Sequence, residues 1–140
     1  MKQVSVLFAL LFSLNLSAQT LDRGQLEALT EKHWQSGLRL LNELVSMPND
    51  AVYPEQIAVN IAWCETAFAK RNWSVERLET GGIPLLLVEK KQPNAKKTAL
   101  FYFHVDGQAV DISKWDQKDA YQPVLKAQSS TDTWEALPME

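Results

Sequence analysis

Cysteine is almost missing from this chain, since Cys64 is the only one among 140 residues. A single thiol excludes an intramolecular disulfide framework. Cys64 falls on an apolar stripe whose members repeat at helical spacing: Ile57, Ile61 and Phe68 are the others. We therefore expect a buried, inert thiol, because a catalytic cysteine would need a histidine and an orienting partner that the sequence does not place beside it.

Excess positive charge and long apolar runs are lacking too. The 14 basic residues are outnumbered by 17 acidic ones, and the net charge of -3 offers no electrostatic basis for binding nucleic acid. The longest apolar run, over 4–16, is shorter than the roughly 20 residues that a membrane-spanning helix needs. With 46% hydrophobic and 22% charged residues, the composition is that of a globular protein with room for one domain or part of a larger one.

The first eighteen residues have the layout of a cleaved secretory signal. Lys2 provides a positive start, the apolar run over 4–16 follows, and the small residue Ala18 precedes Gln19. A buried or amphipathic first helix is the alternative, but no polar face interrupts the run. We expect a signal peptide over 1–18, export to the periplasm or the extracellular space, and a mature chain that begins near Gln19.

Two helices and three strands are predicted next. Apolar residues at helical spacing predict a helix over 21–46, and Pro54 suits the first turn of a second helix that extends to about Arg71. His33 lies beside the first helix's apolar stripe, where we expect a surface or boundary histidine. Strands are expected over 73–78, 84–88 and 98–104, whereas 108–140 shows little periodicity and is expected to form an extended loop.

The third of these strands ends in the residues that carry the chemistry. The apolar run over 99–103 predicts a strand buried on both faces, and it leads directly into His104. Side chains alternate along a strand, so His104 and Asp106 should share one face. A neutral imidazole there can bind zinc, and a neighbouring carboxylate can hold the ring in the required tautomer.

The order of motifs around this pair is similar to that of a known enzyme family. After His104-Val105-Asp106 come Val110-Asp111-Ile112-Ser113-Lys114-Trp115 and then Pro123-Val124-Leu125. This succession resembles the N-terminal part of the di-zinc exopeptidases, which include glutamate carboxypeptidase, carnosinase-type dipeptidases, aminoacylase and acetylornithine deacetylase. The resemblance covers most of the chain after the signal.

The resemblance implies a fold and a site. It implies the N-terminal part of a three-layer α/β/α catalytic domain, with a mixed sheet between helices, over 19–140. His104 would be a ligand of one of two catalytic zinc ions, and Asp106 would be the catalytic-site carboxylate that orients its ring. The substrate would be a terminal peptide or an N-acyl amino acid, and a homodimer would be compatible with the family.

In the family, the remaining zinc ligands lie in segments that come after the part that this chain resembles up to Glu140. They are a bridging aspartate, a Glu-Glu pair, another acidic ligand and a distant histidine, and a smaller lid domain is inserted among them. We therefore expect an N-terminal fragment of an exported metallohydrolase, inactive as this isolated chain. The alternatives are a truncated relic without activity and a soluble α/β domain in which His104 is structural. Asp111, Asp116 and Asp119 are expected to reach a metal only through a mobile loop.

Overall fold

The computed structural model describes residues 21–130 and 132–138, which form a mixed α/β arrangement of two helices and two small antiparallel sheets. The chain divides into two units, one up to Gln35 and one from Ser36 onward. The signal predicted over 1–18 lies outside the described residues. No helix in the described part of the chain is long and apolar enough to cross a membrane.

Helix α1 comprises Arg23–Val45 and crosses from the first unit into the second. Its start is fixed by a reciprocal cap, in which the Gln25 amide donates to Asp22 Oδ1 (2.8 Å) and the Asp22 amide donates to Gln25 Oε1 (3.0 Å). Such a pair satisfies amide groups that have no partner inside the helix. The predicted helix is confirmed, but none of its residues is buried, so its apolar stripe does not form a core.

Helix α2 comprises Pro54–Ala69 and contains the core of the second unit. Proline at its first position suits a helix start, because the missing N–H has no partner there in any case. The predicted stripe is confirmed: Ile57, Ile61 and Cys64 are the buried apolar residues among those described. Phe68 continues the stripe, half-buried, with its ring centre 5.8 Å from that of Trp73.

A β-hairpin packs on α2. Strands β1 (Ser74–Leu78) and β2 (Leu85–Glu89) pair antiparallel, from Ser74 opposite Glu89 to Leu78 opposite Leu85, and α2 contacts both strands. Both strands match the predicted ones to within a residue. Arg77 of β1 donates two hydrogen bonds to the carboxylate of Glu65 on α2, at 2.9 and 2.8 Å. These bonds and the charge of Glu65 raise the pKa of Arg77, and the two-bond contact of the guanidinium with the carboxylate ties the hairpin to the helix.

The prediction of a third strand, buried over 98–104, is wrong. Residues 97–104 belong to no sheet, and no backbone hydrogen bond joins 98–104 to another part of the described chain. The run is exposed instead, from Phe101 at 74% to Leu100 at 88%. Apolar composition expresses a preference for burial, but a strand forms only where neighbouring strands offer partners, and the described residues place none beside this run.

The prediction of an extended loop after Gly107 is wrong in part. It contains a one-turn 3₁₀ helix, Ile112–Lys114, and a short antiparallel pair, β3 (Lys126–Gln128) and β4 (Trp134–Ala136). Elements this short carry too few residues for periodicity to reveal them. Local side-chain bonds hold them instead, as when Asp111 Oδ1 accepts hydrogen bonds from both the amide and the hydroxyl of Ser113.

Candidate functional site

The candidate site lies at one end of the exposed run, where the chain is fixed to the loop before α2. The Gly107 amide donates to Asn49 O (2.7 Å), and the Ala51 amide donates to Gly107 O (3.1 Å), which makes Asp50 and Gly107 an isolated parallel bridge. Asn49 Nδ2 also donates to Val105 O at 3.0 Å. Residues 105–107 are therefore held in an extended conformation against residues 49–51.

Gly107 is required by the closeness of this contact. A Cβ atom at position 107 would lie 2.7 Å from Asn49 Oδ1, closer than such atoms approach in proteins. The Asn49 side chain cannot move aside without breaking its bond to Val105 O. The Gly107 backbone thus lies so close to the Asn49 side chain that any residue with a Cβ atom at position 107 would clash with it.

The loop that holds Gly107 is itself fixed to α2 by buried polar residues. Asn60, 2% exposed, donates from Nδ2 to Pro48 O (2.8 Å) and to Gln56 O (2.9 Å). Asp50, 8% exposed, donates its amide to Gln56 Oε1 and accepts the Val52 amide on Oδ1, both at 2.9 Å. The sequence interpretation missed these residues as supports of the site. The available signal was Asn60 on the buried stripe of α2, between Ile57 and Ile61.

His104 and Asp106 lie together on one side of the segment. His104 Nδ1 is 3.3 Å from Asp106 Oδ1, and the imidazole and the Tyr102 ring form a T-shaped pair with the ring centres 4.9 Å apart. When Nδ1 carries the proton, it donates to the carboxylate and Nε2 keeps its lone pair. Both side chains are open to solvent, at 69% and 48% exposure. The pair thus offers one imidazole nitrogen with an orienting carboxylate behind it.

The three aspartates of the following segment do not converge on His104. Asp111 caps the 3₁₀ helix, Asp116 accepts from Lys126 Nζ at 3.0 Å, and Asp119 Oδ1 accepts the Tyr121 amide at 2.9 Å. Each carboxylate is therefore used locally, in a cap, an ion pair or a turn. His33 lies exposed on α1, as predicted.

The donor set fits part of a zinc site. Among the described residues, no group of three or more histidine, cysteine or acidic side chains is placed to hold a metal ion. A catalytic zinc takes about three protein ligands and an open position. His104 with Asp106 behind it matches one such ligand and its orienting partner, and the chemistry of the pair suits zinc without completing a site.

Cys64 takes no part in this site, in agreement with its prediction as a buried thiol. It is 8% exposed on α2. Burial, and to a lesser degree the negative charge of Glu65, raises the pKa of the thiol above its ordinary value. Both effects disfavour the thiolate, which is the reactive form.

The raised pKa predicts how stability depends on pH. The unfolded chain ionises this thiol near its ordinary pKa of ~8.5, whereas the folded chain keeps the proton to higher pH. The contribution is therefore complete below about pH 8.5 and is lost as the pH rises through the folded value, because the unfolded state then binds fewer protons. We expect the free energy of unfolding, from urea titrations between pH 7 and 11, to fall more steeply in the wild type than in Cys64→Val. Equal slopes would contradict this prediction.

Comparison with known proteins adds no family to these observations. No family model, no curated protein and no solved structure matches the chain.

Proposed function

We propose that this chain is the N-terminal portion of an exported zinc-dependent exopeptidase or amidohydrolase, in which His104 is a zinc ligand and Asp106 orients it. The three-layer α/β/α domain with a mixed sheet is part of the same proposal. The observation that carries it is the contact of 3.3 Å between His104 Nδ1 and Asp106 Oδ1. The substrate class is a terminal peptide or an N-acyl amino acid, as the motif order over 104–125 implies.

In the proposed site, neighbouring residues of this chain would hold the zinc-binding imidazole of His104 in position. In the tautomer in which Nδ1 donates its proton to Asp106 Oδ1, the lone pair of Nε2 is the one that faces a metal ion. The Tyr102 ring, which packs against the imidazole in a T-shaped arrangement, limits rotation of the imidazole from another side. The anchoring of 105–107 to residues 49–51 fixes the backbone that carries Asp106. Zinc bound at such a site polarises a carbonyl and lowers the pKa of a water molecule.

Zinc binding by this chain alone is predicted to be weak. One imidazole and one carboxylate cannot complete a tetrahedral site, and the neighbouring aspartates are held elsewhere. Isothermal titration with zinc should therefore give a shallow isotherm that His104→Ala changes little. A tight, stoichiometric pair of zinc sites lost in His104→Ala would show instead that the chain completes its own centre.

The role of His104 is tested in a polypeptide that continues past Glu140 with the family's later ligand segments. There, His104→Ala should lower turnover of dipeptides or N-acyl amino acids by more than about 100-fold, since loss of a mere orienting partner already costs about 10–100-fold. Asp106→Asn should weaken zinc binding within that lower range. His33→Ala is the matched control and should keep full turnover. Undiminished turnover in His104→Ala, or no zinc-dependent hydrolysis in the wild type, would refute the proposal.

A further inference from the structure

The exposed segment 96–106, here called the apolar edge, has the shape of a strand without a partner. Leu100, Phe101, Tyr102 and Phe103 are 88%, 74%, 77% and 78% exposed. Four consecutive large apolar residues at this exposure form an unusual surface for a folded protein. Backbone groups over 98–104 make no hydrogen bond to another described part of the chain, so they are available for pairing.

Side-chain contacts show that this segment already alternates like a strand. The rings of Phe101 and Phe103 stack at 6.4 Å with 13° between their planes, which places them on one face. Tyr102 contacts His104, and His104 contacts Asp106, so the even-numbered residues share the other face. An extended backbone with side chains on alternate faces is the geometry that pairing with a second strand requires.

The hydrogen bonds at Gly107 determine which edge is open. The N–H and C=O of Gly107 and the C=O of Val105 are directed at residues 49–51. In an extended chain, these groups point to alternate sides from one residue to the next. The odd-numbered residues therefore direct their backbone groups toward the side of residues 49–51, and the even-numbered residues direct theirs to the opposite, open side.

We propose that a second copy of this chain pairs antiparallel with the open edge, with Phe101 directly opposite Phe101 of the other copy. This register is self-complementary in charge. Lys96 of each copy, at the bend where the segment begins, lies opposite Asp106 of the other, and Leu100 lies opposite Tyr102. A register centred on Tyr102 would instead place Asp106 opposite Thr98 and lose both ion pairs. The dimer does not depend on the proposed zinc chemistry.

The charge register is tested by sedimentation equilibrium of the full chain. The wild type should form a dimer, and Lys96→Glu, which places like charges together at both ends of the pair, should raise the dimer Kd by roughly tenfold or more. The double variant Lys96→Asp with Asp106→Lys should restore the wild-type Kd. Lys97→Glu is the control, because it carries the same charge change on the other face, opposite Val105.

Cross-linking tests the centre of the pair. Position 101 has its backbone groups directed away from the open edge, so Phe101 faces Phe101 in a pair without mutual hydrogen bonds, where Cα atoms are about 4.5 Å apart. That separation permits a disulfide. Phe101→Cys should form a covalent dimer on oxidation. Ala99→Cys should not, because it lies opposite Phe103 rather than itself; native Cys64 is buried and does not compete.

The results of these two experiments decide the proposal. A discrete dimer with charge-swap rescue and cross-linking restricted to position 101 supports it. A monomer at all concentrations, open-ended aggregates, or equal cross-linking at positions 99 and 101 would overturn it. Zinc titration of the same variants is independent, because dimer mass is measured without metal.

Discussion

Replacing Ile61 by Asp should unfold most or all of the unit that begins at Ser36. Ile61 is 3% exposed on α2, the helix against which the hairpin packs. Truncating a buried isoleucine to alanine costs about 2–5 kcal/mol, and an aspartate adds the cost of bringing a carboxylate into an apolar site. A domain of this size has a total stability of only about 5–15 kcal/mol. Urea titration followed by circular dichroism should show little or no folded baseline for Ile61→Asp.

The matched control is Val59→Asp on the same helix. Val59 is 57% exposed, so its replacement puts the new carboxylate in water. Its effect on the free energy of unfolding should stay within roughly 0.5 kcal/mol, plus a small cost in helix propensity. Similar losses in the two variants would mean that α2 does not bury the face that carries Ile61.

The parts of the fold that the sequence predicted are those determined by nearby residues. Helix α2 could be predicted because Pro54 marks its start and its buried side chains repeat within a few turns. The strands β1 and β2 follow each other directly and join through a short connection that contains Gly81, whose positive φ of 80° suits glycine. Short-range patterns carry this information because each element's partner is its neighbour in the chain.

The run 98–104 was predicted wrongly because its environment is not local. The same apolar residues would suit the middle of a sheet, but only a neighbouring strand can pair their backbone groups. In the described chain, pairing begins only at Gly107, where residues from nearly sixty positions earlier supply the partner. Composition therefore indicated a preference for burial and gave no information on which residues would provide it.

The candidate site also combines a feature that nearby residues determine with one that distant residues determine. The shared face of His104 and Asp106 follows from alternation over two residues, and the structure places the two side chains in contact. The support behind them joins Pro48, Asn60 and Gly107 through hydrogen bonds between separate parts of the chain. No spacing rule indicates such bonds, although a polar residue on a buried helical stripe is a sign that one exists.

The second large effect is expected for Asn60→Leu, which removes that support while keeping the side chain's size. Asn60 Nδ2 donates to Pro48 O and Gln56 O, and the residue is 2% exposed. Leucine removes the donor of two part-buried hydrogen bonds, each of which contributes about 0.5–1.5 kcal/mol. We expect a loss of about 1–2 kcal/mol in urea titration. Hydrogen exchange of the Ala51 and Gly107 amides should also become faster, because their bridge depends on the loop that Asn60 holds.

Asn42→Leu is the control for Asn60→Leu. It makes the same amide-to-leucine replacement at a position where the side-chain oxygen has, among the described residues, no hydrogen bond to lose. Within the described part of the chain, Asn42 Oδ1 is buried and has no hydrogen-bond partner, so leucine removes an unsatisfied oxygen there. Stability should stay unchanged or rise by up to about 1 kcal/mol, and exchange at Gly107 should not change. If both variants lost the same stability, amide-to-leucine replacement itself would be the cause. If only Asn60→Leu loses stability and speeds exchange at Gly107, the segment that carries His104 and Asp106 is held in place from α2.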